Sequence, residues 1–221
     1  METRWSDIRS RATYAPERFT PRFYQDVIAG RPRLDGARAA LDHFDVPDAA
    51  VRAEEYAERK QQMIVALIEA AEFTAFPDAL RFVRALSDRG VRLAAASSSK
   101  NAGLILRRIR LGDGPQALGP PLRDLFDVEV SGRDFARGKP DPEIFVTAGS
   151  ELGIPARECF VVEDAVVGIE AARAAGMVAL GVARADDAER LAAAGADLVV
   201  TTLDDVALDR LALGGLSSRP A

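Results

Sequence analysis

From about residue 77 the chain alternates short apolar runs with helical patterns, and this alternation is the feature that most narrows its fold. Leu80, Val83 and Leu86 recur at helical spacing and stop at Gly90, a residue type that closes helices because it tolerates left-handed φ. "VRLAAASSS" then reads as a buried strand that opens into a polar loop. Asn101 is placed to cap a helix carrying Leu104, Ile105 and Ile109. "GDGPQALGPP" is a loop by its Gly and Pro content, and "FDVEV" a short strand. Asp141 and Pro142 form an N-cap and first-turn pair for a helix through Phe145, Ala148 and Leu152. Strand "CFVVED", helix "AVVGIEAARAAG", strand "VALGV", a helix near Asp187–Ala194 and strand "DLVVTT" complete the series. Apolar strands separated by helices predict a parallel sheet covered on both faces, an α/β Rossmann-like core.

Residues before about 76 contain no convincing strand. Ala37–Phe44 and Val51–Phe73 read as helices, with Ile64, Leu67, Ile68 and Ala71 as the buried stripe of the longer one. The expected organisation is a helical cap over residues 1–76 and a Rossmann-like core over residues 77–221. A composition of 48% hydrophobic and 29% charged residues supports packed domains rather than disorder. The net charge of −5, with Lys and Arg dispersed among acids, argues against a nucleic-acid partner. One cysteine, Cys159, allows no internal disulfide, and no apolar run approaches the ~20 residues that span a bilayer. The N-terminus has no apolar core of the secretory kind, so a cytoplasmic protein is expected.

The candidate chemistry lies at strand ends, where open α/β sheets bind ligands. Glu163 and Asp164 end one strand and precede a helix; two adjacent carboxylates there can support Mg²⁺, which takes few carboxylates plus waters and phosphate oxygens. A plain helix cap at Asp164 would leave Glu163 unexplained. Lys139 sits in a loop ahead of a helix N-terminus, where a cation and backbone N–H groups can meet an anion. Ser97, Ser98 and Ser99 with Lys100 and Asn101 make a second anion-binding candidate at another strand tip. Each alone is also what an ordinary polar loop contains.

In combination, a serine-tipped strand, then "GKPDPEIF", then "VVED" about 24 residues after Lys139 resembles the haloacid dehalogenase superfamily of phosphotransferases. More narrowly it is similar to the beta-phosphoglucomutase and sugar-phosphatase branch, over roughly residues 20–205. The resemblance implies that Ser97 hydrogen-bonds the transferring phosphoryl group and that Lys139 neutralises charge on it. It implies Mg²⁺ supported by Glu163 and, more directly, Asp164. "AGRPRLDG" matches the cap loop of beta-phosphoglucomutase-like proteins, which places Arg33 on a distal phosphate. Lys60 falls near a second cap lysine, and Ser99, Lys100 and Asn101 match the core residues that meet the same phosphate. A fixed clamp remote from the reacting group suits a phosphorylated sugar.

One part is missing. Family members carry their nucleophile in a D-x-D-G segment on the first strand, where the first Asp attacks phosphorus and the second serves as general acid/base. This sequence has no D-x-D, and "RLDG" at Arg33–Gly36 puts an arginine in the first position. The expectation is a chain that enters midway through the cap without the first core strand. In the family fold that strand lies between "CFVVED" and "VRLAAASSS". Either those two strands close on each other, or the chain is poorly folded or aggregation-prone. Two functional readings follow. One is a phosphotransferase or sugar phosphatase inactive as this chain; the other is a non-catalytic sugar-phosphate-binding or regulatory module. A nucleotide-binding Rossmann domain is disfavoured because "GIEAARAAG" lacks the glycine-rich turn.

Overall fold

The computed structural model describes residues 12–13, 15–28, 31, 33–112, 118–211 and 215–218. Two compact units divide at residue 70. Much of "METRWSDIRSRATYAPERF", and Ala29, Gly30 and Pro32 of the cap-loop match, lie outside the described residues.

The first unit is helical. Helices α1 (Arg33–His43) and α2 (Ala49–Glu69) pack through Ala37, Ala53 and Ala57, small residues that let the two backbones approach closely. A short helical stretch, Pro21–Phe23 and then Tyr24–Ile28, adds Phe23 and Ile28 to a cluster with Ala40 and Phe44. Arg33 is the first residue of α1 rather than part of a loop. The longer helix ends at Glu69, four residues before the expected Phe73.

The second unit carries α3 (Pro77–Ser87), β1 (Ala94–Ala95), α4 (Ala102–Arg108), β2 (Val128–Glu129), α5 (Glu143–Leu152), β3 (Phe160–Glu163), α6 (Val166–Ala174), β4 (Val178–Val182), α7 (Ala188–Ala193), β5 (Leu198–Val200) and α8 (Leu208–Leu211). All its strand pairs are parallel. On one face Val128, Val130, Val161 and Ala179 pack with Ile144, Phe145, Ile169 and Leu191. On the other, Leu93, Leu180, Val182 and Val200 pack with Phe82, Leu86 and Leu211. Adjacent β4 residues, Ala179 and Leu180, enter opposite layers, as the two-residue period of a strand requires.

The sheet is divided. β1 pairs β2 as one ladder, and β3–β4–β5 form another, with no strand between β1 and β3 among the described residues. Closure of the two edges, one of the outcomes expected from the sequence, does not occur. The division marks the strands themselves: β1 and β2 have two residues each, far shorter than "VRLAAASSS" and "FDVEV" suggested. β4, flanked on both sides, is buried from Ala179 to Val182, whereas Val162 in β3 is 38% exposed. A strand lacking one neighbour loses both a ladder and side-chain cover.

A polar staple ties α3 to the ends of β4 and β5. Asp78, 4% exposed in the first turn of α3, accepts hydrogen bonds from Arg184 Nη1 (2.8 Å), the Leu203 N–H (2.9 Å) and Thr202 Oγ1 (3.2 Å). Burial opposes ionisation of Asp78, but the Arg184 and Leu203 hydrogen bonds outweigh it and bring its pKa down to about 2. Arg184 also stacks on Phe76, its guanidinium carbon 4.2 Å from the ring centre.

Candidate functional site

Lys139 lies in the loop between β2 and α5, one residue before Pro140, to which it is joined by a cis peptide bond. Its ammonium is ion-paired with the Glu163 carboxylate at the end of β3 and lies over the Phe145 ring, 4.7 Å from the centre. Only 13% of the Lys139 side chain and 10% of that of Glu163 are exposed, so this is a buried pair and not a surface one. Burial pushes the Glu163 pKa above its ordinary value; the Lys139 charge opposes the shift without cancelling it, and Asp164 adds to it.

Glu163 folds back over the first turn of α6 and packs on Gly168. A Cβ at residue 168 would come within 3.0 Å of all three heavy atoms of the carboxylate. Gly168 is therefore the residue that makes room for the buried pair. "EDAVVG" contains this spacing, but nothing in the pattern says that the carboxylate turns back over its own helix.

Asp164 is exposed beside this pair. The N-cap of α6 is Ala165, and no side chain caps that helix. Asp164 is thus free of the structural duty that would have explained it away. The two carboxylates divide the work: Glu163 holds the lysine, and Asp164 is presented outward. Among the described residues no three His, Cys, Asp or Glu side chains gather as a metal cage. One presented carboxylate fits Mg²⁺ only if waters and substrate phosphate oxygens complete the shell, a habit of that ion.

The second strand tip is a tight turn. Ser97 Oγ accepts from the Ser99 N–H, and Ser99 Oγ from the Asn101 N–H, both at 3.2 Å. Because each oxygen accepts, the hydroxyl protons are the part left to meet an anion. Asn101 is the N-cap residue of α4, but its side chain makes no capping bond; the Ser99 carbonyl accepts from the Ala102 N–H instead. Similarly, α5 starts at Glu143 rather than at Pro142, with Asp141 Oδ1 accepting from the Glu143 N–H at 3.0 Å. Lys100 is ion-paired with Asp134, an exposed contact that an incoming anion can displace at little cost.

Gly132 holds this turn against β2. Its N–H donates to the Ser97 carbonyl at 2.9 Å, its φ is +68°, and a Cβ there would lie 3.1 Å from the Lys100 Cα. Only glycine accommodates both the conformation and the approach. "SGRD" hints at a turn without revealing what it supports. Arg33 and Lys60 belong to the first compact unit: Arg33 pairs with Glu58 at 3.8 Å, and Lys60 is half-buried on α2. The structure thus joins Lys139 with Glu163, and Ser97, Ser99 and Lys100 with Gly132 and Asp134.

Comparison with known proteins gives a consistent result. Residues 6–176 match the family profile described as haloacid dehalogenase-like hydrolase. Beta-phosphoglucomutase from Bacillus subtilis (strain 168) is 34% identical over 153 residues, 69% of this chain and 60% of that protein. The chain thus spans about three fifths of that relative's length. Validoxylamine A 7'-phosphate phosphatase from Streptomyces hygroscopicus subsp. limoneus is 43% identical over 82 residues, 37% of this chain and 38% of its own. The crystal structure of beta-phosphoglucomutase from Pyrococcus sp. strain ST 04 superposes with a TM-score of 0.65 at 28% identity, covering 89% of this chain and 86% of the other. Its two-layered parallel α/β unit, its strand-end site and these similarities place the chain among the haloacid dehalogenase-like hydrolases.

Proposed function

We propose that this chain carries the anion-binding and charge-neutralising half of a phosphotransfer site for a phosphorylated sugar. The observation that carries the reading is the buried Lys139–Glu163 pair beside the outward-facing Asp164 at the end of β3. A lysine held in one place by a carboxylate and an aromatic ring costs little reorganisation when a phosphoryl group arrives, which is how electrostatic preorganisation works. The relatives named beta-phosphoglucomutase and validoxylamine A 7'-phosphate phosphatase support a phosphorylated small molecule as the substrate class.

In this reading Ser97 donates its hydroxyl proton to a phosphoryl oxygen, and Lys139 places positive charge beside it. Asp164 would hold Mg²⁺, which when bound would supply Lewis-acid stabilisation of phosphoryl charge. Ser99, Lys100 and Asn101 bind a distal phosphate. Transfer through an aspartyl-phosphate, the family's route, needs a carboxylate nucleophile, and no D-x-D is present in these 221 residues. The chain therefore binds phosphorylated sugar with Mg²⁺ and does not turn it over, in keeping with a cytoplasmic sugar-phosphate role. No helix among the described residues is long and apolar enough to cross a membrane.

The test is titration with glucose 1-phosphate alongside assays for phosphate release and for a phosphoenzyme. Saturable Mg²⁺-dependent binding with neither product is expected. Release of phosphate, or a covalent phosphoenzyme, would refute the assignment of a missing nucleophile.

A further inference from the structure

Two lysines stand at the strand-end loops, and each is held by an acid, but the two acids are built differently. Glu163, the partner of Lys139, is deeply buried, whereas the side chain of Asp134, the partner of Lys100, is 93% exposed. Among the described residues the Asp134 carboxylate has Lys100 as its only partner, and the Lys100 ammonium has only Asp134.

Asp134 is nevertheless a placed residue, because the turn over residues 131–134 is braced from two directions. The Gly132 N–H donates to the Ser97 carbonyl at 2.9 Å, which fixes the turn against the segment that bears Lys100. The Arg133 guanidinium reaches the other way, bidentate to the Glu151 carboxylate on α5 and donating to the Glu129 carbonyl at 2.8 Å. The neighbouring Arg123 is taken by the Glu129 carboxylate at 3.1 Å. With the backbone before it fixed and these arginines occupied, the Asp134 side chain is left to Lys100.

So exposed a pair adds little to the stability of the fold, since solvent screens it and two side chains must be ordered to make it. Its consequence falls on ligand binding. An acid in this place can act in one of two opposite ways: it can orient the ammonium for the ligand, as Glu163 does for Lys139, or it can compete with the ligand for the ammonium. Orientation requires the pair to persist beside bound phosphate. Burial secures that for Lys139, whereas the exposed pair gives way to a phosphate dianion, which carries more charge than one carboxylate.

We propose that Asp134 is an internal competitor at the distal phosphate subsite, a carboxylate that occupies Lys100 until a phosphate displaces it. The inference rests on the sugar-phosphate reading of Ser99, Lys100 and Asn101, and it adds the residue that limits the affinity of that subsite. Displacement weakens every anion alike. The like charge left beside the subsite penalises a dianion more than a monoanion.

The test is titration of the 221-residue protein with inorganic phosphate at mildly alkaline pH, followed by the backbone amide resonances of Ser99 and Lys100. Wild type, Asp134→Asn, Lys100→Gln and the double variant are compared, all altered only at exposed side chains. At low salt Asp134→Asn should bind phosphate about two- to tenfold more tightly than wild type. Acetate, a monoanion, should gain less, and the phosphate gain should shrink at high salt. Lys100→Gln should weaken phosphate binding, and in that background Asp134→Asn should gain less than it does alone. Unchanged or weaker phosphate binding by Asp134→Asn, with Lys100→Gln still weakened, would overturn the competitor role and leave the distal subsite standing. Phosphate binding indifferent to Lys100→Gln, or no shift at Ser99 and Lys100 in any of the proteins, would overturn the subsite and the competitor together.

Discussion

Replacing Gly168 by Ala tests the geometry of the buried pair directly. At an unencumbered helical position this change stabilises by up to about 1 kcal/mol, because glycine has more backbone entropy to lose. Residue 168 is the third residue of α6, but its Cβ would intrude within 3.0 Å of the Glu163 carboxylate, well inside the 3.4 Å of ordinary van der Waals contact. Overpacking of this kind costs about 1–3 kcal/mol, and swinging Glu163 off Lys139 would cost about 3–5 kcal/mol. The smaller route wins, and set against the helix gain it leaves a net loss of up to about 2 kcal/mol. Urea unfolding followed by circular dichroism should show a midpoint lowered by up to roughly 1 M with an unchanged slope. In a Glu163→Ala background the clash is gone, so Gly168→Ala should there be neutral or stabilising. Stabilisation by Gly168→Ala in the wild-type background would refute the packing of Glu163 on α6.

Other consequences concern the charges themselves. Lys139→Met strands Glu163 as an unpaired buried carboxylate and should cost about 3–5 kcal/mol in urea unfolding, while Lys139→Met with Glu163→Met should recover most of it. Asp78, depressed from 3.8 to about 2, contributes stability that is fully present above pH ~4 and lost as pH falls through about 2. The shift of roughly two units corresponds to about 2–3 kcal/mol, so Asp78→Asn should be less stable by that amount at pH 7, and the gap should close near pH 2. Gly132→Ala forces a side chain into φ +68° and toward the Lys100 backbone; a loss of about 1–2 kcal/mol is expected, with weaker binding of inorganic phosphate by titration.

The α/β architecture was legible because apolar strands and helix spacings are local properties. Leu80, Val83 and Leu86 announced α3, and the alternation after residue 120 announced parallel pairing. Strand lengths were not legible, since β1 and β2 depend on a neighbour that "VRLAAASSS" and "FDVEV" cannot report on. The positions of Lys139 and Glu163 could be read as candidates at strand ends, but their direct pairing could not. It arises from a loop closing over 24 residues and from the space above Gly168. The capping expectations at Asn101 and Asp141 erred by a residue or in the acceptor, because serine oxygens and backbone carbonyls compete for the same N–H groups. Closure of β1 onto β3, one of the two outcomes read from the absent D-x-D segment, is not seen among the described residues.

The most direct test of the central claim is calorimetric titration of glucose 1-phosphate into the wild-type chain and Asp164→Asn, each with and without Mg²⁺. Asp164 is exposed and caps nothing, so the variant should unfold like the wild type. The account predicts Mg²⁺-dependent binding by the wild type, its loss in Asp164→Asn, and no product from either. Binding that is indifferent to both Mg²⁺ and Asp164 would contradict it.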